Sequence, residues 1–206
     1  MAGKLVLHEY AASGNCYKVR LTAALVGKTL ERREYDIFKG ETRTPEFLRT
    51  INANGRIPVL QIGDRFIPES NAACYFLADG SDLVPTDPFD NADMLHWMFW
   101  EQYNHEPNIA TLRSWMVVIG IDKLSEAQRV QMPIKREQGD AALKLMDEHL
   151  DAREWFVGEK VSLADICLFA YTHVAGEADF DLSRYPNLQA WTERVEQVPR
   201  FLPLDA

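Results

Sequence analysis

The sequence lacks the cysteine and histidine patterns that build disulfide frameworks and metal sites. Its three cysteines, Cys16, Cys74 and Cys167, lie far apart and form no C-x-x-C pair. Five histidines are present, and none of them stands in an H-E-x-x-H arrangement. We therefore expect neither a disulfide scaffold nor a structural or catalytic metal, and we predict that the thiols are reduced.

Long apolar runs and an excess of basic charge are also missing. No apolar stretch is long enough to span a membrane, and the run within Met1–Glu9 is too short for a signal peptide. The formal net charge is −9 at pH 7, whereas nucleic acid and anionic lipid are bound by clustered lysine and arginine. We expect a cytoplasmic protein that binds neither membrane nor nucleic acid.

What is present is the composition of an ordinary globular protein. The chain has 206 residues, of which 47% are hydrophobic and 26% are charged. That length suffices for one large domain or for two small ones, each with its own core.

The first part of the chain alternates strand and helix patterns in the order β-α-β-α-β-β-α, which is the thioredoxin-like order. Gly63-Asp64 is typical of the turn between the last two strands, and Ser13 or Asn15 suits the cap of the first helix. The predicted strands are 5–10, 30–36, 57–62 and 65–67, and the predicted helices follow Ser13 or Asn15, Thr44 and Glu69-Ser70. The helix that follows Thr44 is predicted to stop near Asn54-Gly55.

The second part of the chain is predicted to be all helical. Residues 81–88 are polar and contain two prolines, so they are predicted to link a domain at 1–80 to one at 89–206. Pro107 predicts a kink in the first long helix, which is rich in aromatic residues. Ser162-Leu163-Ala164-Asp165 predicts a capping box at the start of a later helix. The fold class is thus an α/β thioredoxin-like N-terminal domain followed by an all-α C-terminal domain.

Two segments of the first domain suggest a docking edge for a small, anionic, peptide-like ligand. Pro58 heads a strand, and if the Ile57-Pro58 bond is cis, the N–H and C=O of Ile57 can pair with an extended peptide. Glu69-Ser70 opens a helix whose N–H groups favour a carboxylate, while the Glu69 carboxylate can receive an ammonium group. Glutathione is the best candidate for such a ligand. Taken singly, Pro58 could be a plain edge-strand proline and Ser70 a plain helix cap.

The segment Ser13-Gly14-Asn15-Cys16 lies between the first strand and its helix. A hydroxyl or amide at this helix start can stabilise the thiolate form of a thiol. A free thiol has a pKa of roughly 8.5. Ser13 and Asn15 are the candidates, although either can merely cap the helix. Cys16 is an alternative nucleophile, since a thiol in a first helical turn can form a mixed disulfide. Tyr10 is a third candidate at the end of the strand.

These segments resemble the cytosolic glutathione S-transferases over nearly the whole chain. The closest resemblance is to bacterial members with a Ser or Thr hydroxyl at the thiol. The segments that carry it are Tyr10-Ala11-Ala12-Ser13-Gly14-Asn15-Cys16-Tyr17-Lys18-Val19-Arg20, Thr44-Pro45-Glu46-Phe47-Leu48, Gly55-Arg56-Ile57-Pro58-Val59-Leu60 and Pro68-Glu69-Ser70-Asn71-Ala72.

The resemblance assigns a role to each candidate residue. It implies that Ser13 stabilises the thiolate with Asn15 as second donor, and that Ile57 pairs with glutathione beside a cis-Pro58. It implies further that Glu69 and Ser70 hold the γ-glutamyl end and that Arg56 lies near the glycyl end. Thr42 stands where many relatives carry a His or Gln for the glycyl carboxylate.

The resemblance also implies a homodimer that takes glutathione as cosubstrate and transfers it to a small hydrophobic electrophile. The second substrate would bind against the first long helix of the helical domain, at a wall that includes Tyr103, Leu112, Arg113 and Trp115. Peroxide reduction could use the same thiolate. A thioltransferase acting through Cys16 and a non-catalytic interaction module are the alternatives.

Overall fold

The computed structural model describes residues 4–206, which form two compact units. Residues 4–84 and 199–206 make up the first unit, and residues 85–198 make up the second. The predicted fold class is confirmed: the first unit is a small mixed sheet with helices, and the second is helical. The change between them falls at Val84 and Pro85, within the interval predicted to be a linker.

The first unit is built on a four-stranded sheet in the order β2-β1-β3-β4. The β1 and β2 strands are parallel, whereas β3 runs antiparallel to both β1 and β4. Gly63, with a φ of 62°, lies in the two-residue turn of the predicted hairpin. The strands are β1 (Leu5–Glu9), β2 (Glu31–Glu34), β3 (Val59–Ile62) and β4 (Arg65–Pro68), and the helices are α1 (Gly14–Leu25), α2 (Pro45–Thr50) and α3 (Ser70–Ala78).

The predicted end of α2 was wrong by several residues. The helix ends at Thr50, well before Asn54. The side chain of Asn52 offers the backbone another set of partners: its carbonyl accepts from the Asn54 N–H at 3.0 Å, and its amide donates to the Arg56 carbonyl at 2.9 Å. Asn side chains that bond to nearby backbone favour turns over helix, and this competition stops α2 early.

His8 is buried in β1, and its imidazole hydrogen-bonds to two neighbouring segments. The amide of Gln61 donates to the Gly63 carbonyl, so its oxygen faces His8 and accepts from Nε2 at 2.8 Å. The other ring nitrogen, Nδ1, therefore accepts from the Tyr35 hydroxyl at 2.8 Å. Desolvation lowers the pKa of His8, and this neutral form fits the two hydrogen bonds.

The last residues of the chain pack on the first unit, whereas the sequence assigned them to the helical domain at 89–206. They follow α1: the Tyr17 hydroxyl donates to the Leu202 carbonyl at 2.6 Å, and Arg20 donates to the carbonyls of Leu204 and Ala206 at 3.0 and 3.1 Å. Such contacts join positions more than 180 residues apart. A local pattern cannot indicate them.

The second unit consists of helices, and none of the helices within residues 4–206 is long and apolar enough to cross a membrane. The predicted capping box at Ser162 opens its most buried helix, and another capping box, at Ser125, opens the longest one. The helices are α4 (Pro88–Trp100), α5 (Glu106–Arg113), α6 (Glu126–His149), α7 (Leu163–Thr172) and α8 (Pro186–Glu196).

Where the sequence predicts a kink near Pro107, the structure has π-helical turns. One spans Glu101–His105, directly before α5, and another spans Ser114–Gly120, directly after it. Pro107 stands in the first turn of α5, where its missing N–H costs least. The helix thus continues past the proline with its backbone pattern changed on both sides.

The core of the second unit is organised around Asp165, which lies fully buried at the start of α7. One carboxylate oxygen accepts from the Phe156 N–H and from the Trp191 indole, each at 3.0 Å. The other accepts from the N–H and hydroxyl of Ser162 at 2.8 and 3.0 Å. Burial raises the pKa of Asp165 in spite of these four donors.

Candidate active site

The start of α1 places Ser13 as the helix cap. Its hydroxyl oxygen accepts from the Cys16 N–H at 3.3 Å, while its own N–H donates to the Tyr10 carbonyl at 3.0 Å. A serine hydroxyl has one donor hydrogen and two acceptor lone pairs. Capping uses an acceptor only, so the Ser13 hydroxyl hydrogen stays available for a ligand sulfur. The capping and thiolate-stabilising roles are compatible.

Cys16 is poorly suited to be a nucleophile. Its side chain is completely buried, and its sulfur accepts from the Tyr10 N–H at 3.4 Å. Desolvation raises the pKa of the Cys16 thiol to about 12. A thiol with that pKa is almost entirely protonated at neutral pH, and a buried one cannot meet a substrate.

Tyr10, the third candidate, has a packing contact. Its ring lies edge-on to that of Phe38, with centroids 5.9 Å apart, and the residue is half-buried. Aromatic pairs favour this geometry. The position just after β1 is thus used for packing, as well as for the backbone contact to Cys16.

Ile57 and Pro58 form the predicted docking edge ahead of β3. The Ile57-Pro58 peptide bond is cis. Among the described residues, no hydrogen bond involves the N–H or C=O of Ile57, which is half-buried. Unpaired backbone groups at a strand end can accept an added peptide strand.

Glu69 and Ser70 stand at the start of α3, as expected. Glu69 has a φ of 70°, a conformation that costs a residue with a side chain on the order of 1–3 kcal/mol. Its carboxylate is exposed and has no partner among the described residues. Ser70 is buried at the first position of the helix. Strained backbone of this kind is concentrated at binding sites.

The structure brings the two predicted halves of the site together. The Ser70 hydroxyl lies 3.4 Å from the Asn15 side-chain oxygen, a contact between the starts of α3 and α1. Two helix N-termini, each with its positive dipole end, therefore meet at one place. An anionic ligand with a thiol and a carboxylate matches this combination.

Lys18 also belongs to this region, although no sequence pattern indicates it. Its side chain is completely buried, and its ammonium donates to the Asn71 side-chain oxygen at 3.3 Å. The same oxygen lies 3.4 Å from the Ser70 hydroxyl. Lysines are rarely buried, and nothing in the local pattern distinguishes this one from an exposed lysine.

At the expected glycyl end, Arg56 and Thr42 differ in accessibility. Thr42 is buried in a short 3₁₀ helix. Arg56 is exposed, and its side chain has no hydrogen bond or ion pair with any described residue. Arg43, by contrast, donates to the Asn54 carbonyl at 2.8 Å. Arg56 is therefore the available cation.

The predicted wall of the second-substrate pocket divides into buried and accessible members. Leu112 is completely buried in the second unit, and Arg113 is paired with Glu177 at 2.7 Å. Tyr103 is 82% exposed, and Trp115 is half-buried beneath the Lys135 ammonium. Only Tyr103 and Trp115 offer surface to a ligand.

Comparison with known proteins agrees with this architecture. The sequence model of the glutathione S-transferase N-terminal domain matches residues 5–79, and that of the C-terminal domain matches residues 95–199. The crystal structure of glutathione S-transferase from Pseudomonas fluorescens Pf-5 is 43% identical, with a TM-score of 0.91 over 97% of this chain and 98% of that one. A protein from Rhodopseudomonas palustris is 41% identical, with a TM-score of 0.92 over 98% and 90%.

A plant relative extends the similarity beyond bacteria. Glutathione S-transferase 1 of Dianthus caryophyllus is 33% identical over 96% of this chain and 90% of its own. The thioredoxin-like first unit and the helical second unit coincide with these two matched domains. The chain belongs to the glutathione S-transferase family.

Proposed function

We propose that this protein activates the thiol of glutathione through Ser13, with Asn15 as second donor, and adds the thiolate to a small hydrophobic electrophile. It would thus be of the bacterial type with a hydroxyl at the thiol. The observation that carries the proposal is the contact between Asn15 and Ser70, which unites the thiol end and the γ-glutamyl end in one site.

Each part of glutathione has a complement in this site. Ile57 offers the cysteinyl residue backbone N–H and C=O groups that pair with no described residue, beside Pro58. Glu69 with Ser70 receives the γ-glutamyl ammonium and carboxylate. Arg56 is the cation available for the glycyl carboxylate. With the peptide fixed at both ends, its sulfur lies at the start of α1, where the Ser13 hydroxyl hydrogen can donate to it.

Replacing the hydroxyl tests the assignment of Ser13. We expect Ser13→Ala to lower kcat/KM by about 10- to 100-fold while the Kd for glutathione changes little, since a single donor to the developing charge is lost. Ser13→Thr keeps the hydroxyl and is the matched control. Unchanged kcat/KM in Ser13→Ala would contradict the proposal.

The same assay separates the alternatives. Because Cys16 is buried with a raised pKa, we expect Cys16→Ala to keep turnover, whereas a thioltransferase acting through Cys16 would lose it. Peroxide in place of the electrophile shows whether the thiolate also reduces peroxides. A calorimetric titration without glutathione binding would instead indicate a non-catalytic interaction module.

We also propose that the protein is a cytoplasmic homodimer with a role in detoxification. All three cysteines are buried free thiols, which suits a reducing compartment. Phe89, Phe99 and Tyr103, on α4 and in the π-helical turn after it, are 78%, 66% and 82% exposed, an unusual amount of exposed aromatic side chain. Sedimentation of Phe99→Asp should show monomers if the surface around Phe99 joins two copies, and an unchanged dimer would contradict that assignment.

A further inference from the structure

The backbone that leads into Ser13 is fixed from two sides. The Ala11 N–H donates to the Glu34 carboxylate at 3.0 Å, and the Ala11 carbonyl accepts from the Arg20 guanidinium at 2.8 Å. The Tyr10 carbonyl accepts from the Ser13 N–H to close the turn. The position of the Ser13 hydroxyl thus depends on side chains that lie outside this turn.

Arg20 is the more deeply buried of these two supports. Its side chain is 3% exposed, and its Nε lies 3.4 Å from the Glu9 carboxylate, which is fully buried. Arg32 pairs with the same carboxylate. Two arginines around one glutamate leave a surplus of N–H donors, and a buried donor needs an acceptor.

Those acceptors come from residues 200–206, which we call the C-terminal strap. Arg20 donates to the carbonyls of Leu204 and Ala206, and Arg32 donates to the Ala206 carbonyl at 2.9 Å. At the other end of α1, the Arg200 guanidinium lies so close to Gly27 that an added Cβ there would be 2.6 Å from it. The strap therefore follows α1 from its last turn to its first.

We propose that Arg20 is a positioning residue for glutathione activation, and that the C-terminal strap keeps it in place. One guanidinium fork holds the Ala11 carbonyl and the strap carbonyls together. If the strap is lost, the fork turns toward water or Glu9 and releases Ala11, so the Ser13 hydroxyl moves away from the ligand sulfur. Displacements of about 1 Å at such a group can lower a rate about 100-fold.

This inference rests on the proposed role of Ser13, so the experiment tests the roles of Arg20 and Ser13 together. The readout is the pH profile of kcat/KM for a chlorodinitrobenzene at saturating glutathione, which reports the pKa of the enzyme-bound thiol. We expect Arg20→Lys to raise that apparent pKa by about one unit, because an ammonium cannot bridge Ala11 and the strap. Arg33→Lys, on the exposed side of β2, is the matched control and should leave the profile unchanged.

A chain that ends at Pro203 provides a second, independent variant. It keeps Arg20 and removes two of its carbonyl acceptors, so the apparent thiol pKa should move in the same direction. The Kd for glutathione should change by less than about threefold in both variants, because Ile57, Glu69 and Ser70 are untouched. A purely structural role would lower the melting temperature and leave the thiol pKa where it is.

Combination with Ser13→Ala separates the inference from the function on which it rests. In the Ser13→Ala background, Arg20→Lys should add no further shift, since both act on the same hydroxyl. A full additional shift, or no shift from Arg20→Lys in the parent protein, overturns the inference and leaves the role of Ser13 intact. No shift from Ser13→Ala alone overturns both.

Discussion

Removing the carboxylate of Asp165 should strongly destabilise the helical unit. In Asp165→Ala, four buried donors lose their acceptor: the N–H groups of Phe156 and Ser162, the Ser162 hydroxyl and the indole of Trp191. Each unsatisfied buried donor costs about 1–3 kcal/mol, which gives a gross loss of about 4–12 kcal/mol. Desolvation raises the pKa of the Asp165 carboxyl, so burying its charge is costly, and removing the carboxylate offsets part of the gross loss. We expect a net loss of about 3–5 kcal/mol.

Urea denaturation followed by far-ultraviolet circular dichroism measures this loss, with the free energy of unfolding extrapolated to water. Asp165→Asn keeps one acceptor oxygen but turns an amide NH₂ toward the Ser162 N–H, so it should lie between the parent and Asp165→Ala. Asp151→Ala, at an exposed position, should stay within about 0.5 kcal/mol of the parent. A loss below about 1 kcal/mol in Asp165→Ala would refute the assignment of Asp165 as the acceptor that organises this core.

Three further predictions concern packing, strain and protonation. Gly139→Ala should cost about 1–3 kcal/mol by urea denaturation, because its Cβ would lie 2.4 Å from the buried Phe180 ring; an unchanged midpoint would contradict this. Glu69→Gly should raise the melting temperature by relieving the positive φ, yet weaken glutathione binding in calorimetry; tighter binding would refute the ligand role. Burial lowers the pKa of His8 in the folded protein. Below about pH 6.5 the imidazole of His8 is therefore protonated in the unfolded chain before it is protonated in the folded one, and the free energy of unfolding should fall by up to about 1.4 kcal/mol per pH unit as the pH decreases. His8→Gln should make that slope shallower, and an equal slope would contradict the buried neutral form.

Most of the local structure could be predicted from short stretches of sequence. Ser13 caps α1, the hairpin turns at Gly63-Asp64, and Ser162 with Asp165 forms a capping box, because each feature depends on residues within four positions of one another. The early end of α2 is the exception. There Asn52 bonds to its own neighbourhood, and the helix pattern gave no indication of that competition.

The two segments of the candidate site could be predicted from the sequence, but the contact between them could not. Helix starts at Asn15 and Ser70 are visible in the sequence, whereas the 3.4 Å contact between them depends on how α1 packs against α3. Burial is equally nonlocal. The residues next to Cys16 and Lys18 in the sequence do not indicate that these two side chains are fully buried. Burial makes Cys16 a poor nucleophile and makes Lys18 a partner of Asn71.

The sequence by itself determined the order of the elements, the caps and turns, and the family resemblance, because these follow from local periodicity and short motifs. Only the tertiary structure decided which side chains lose water and which distant groups meet. The docking of residues 200–206 along α1 is the clearest case, since its hydrogen bonds join Arg20 and Tyr17 to carbonyls more than 180 positions away. No local pattern encodes such pairs; they form only when the packed chain leaves buried donors without water and brings acceptors to them.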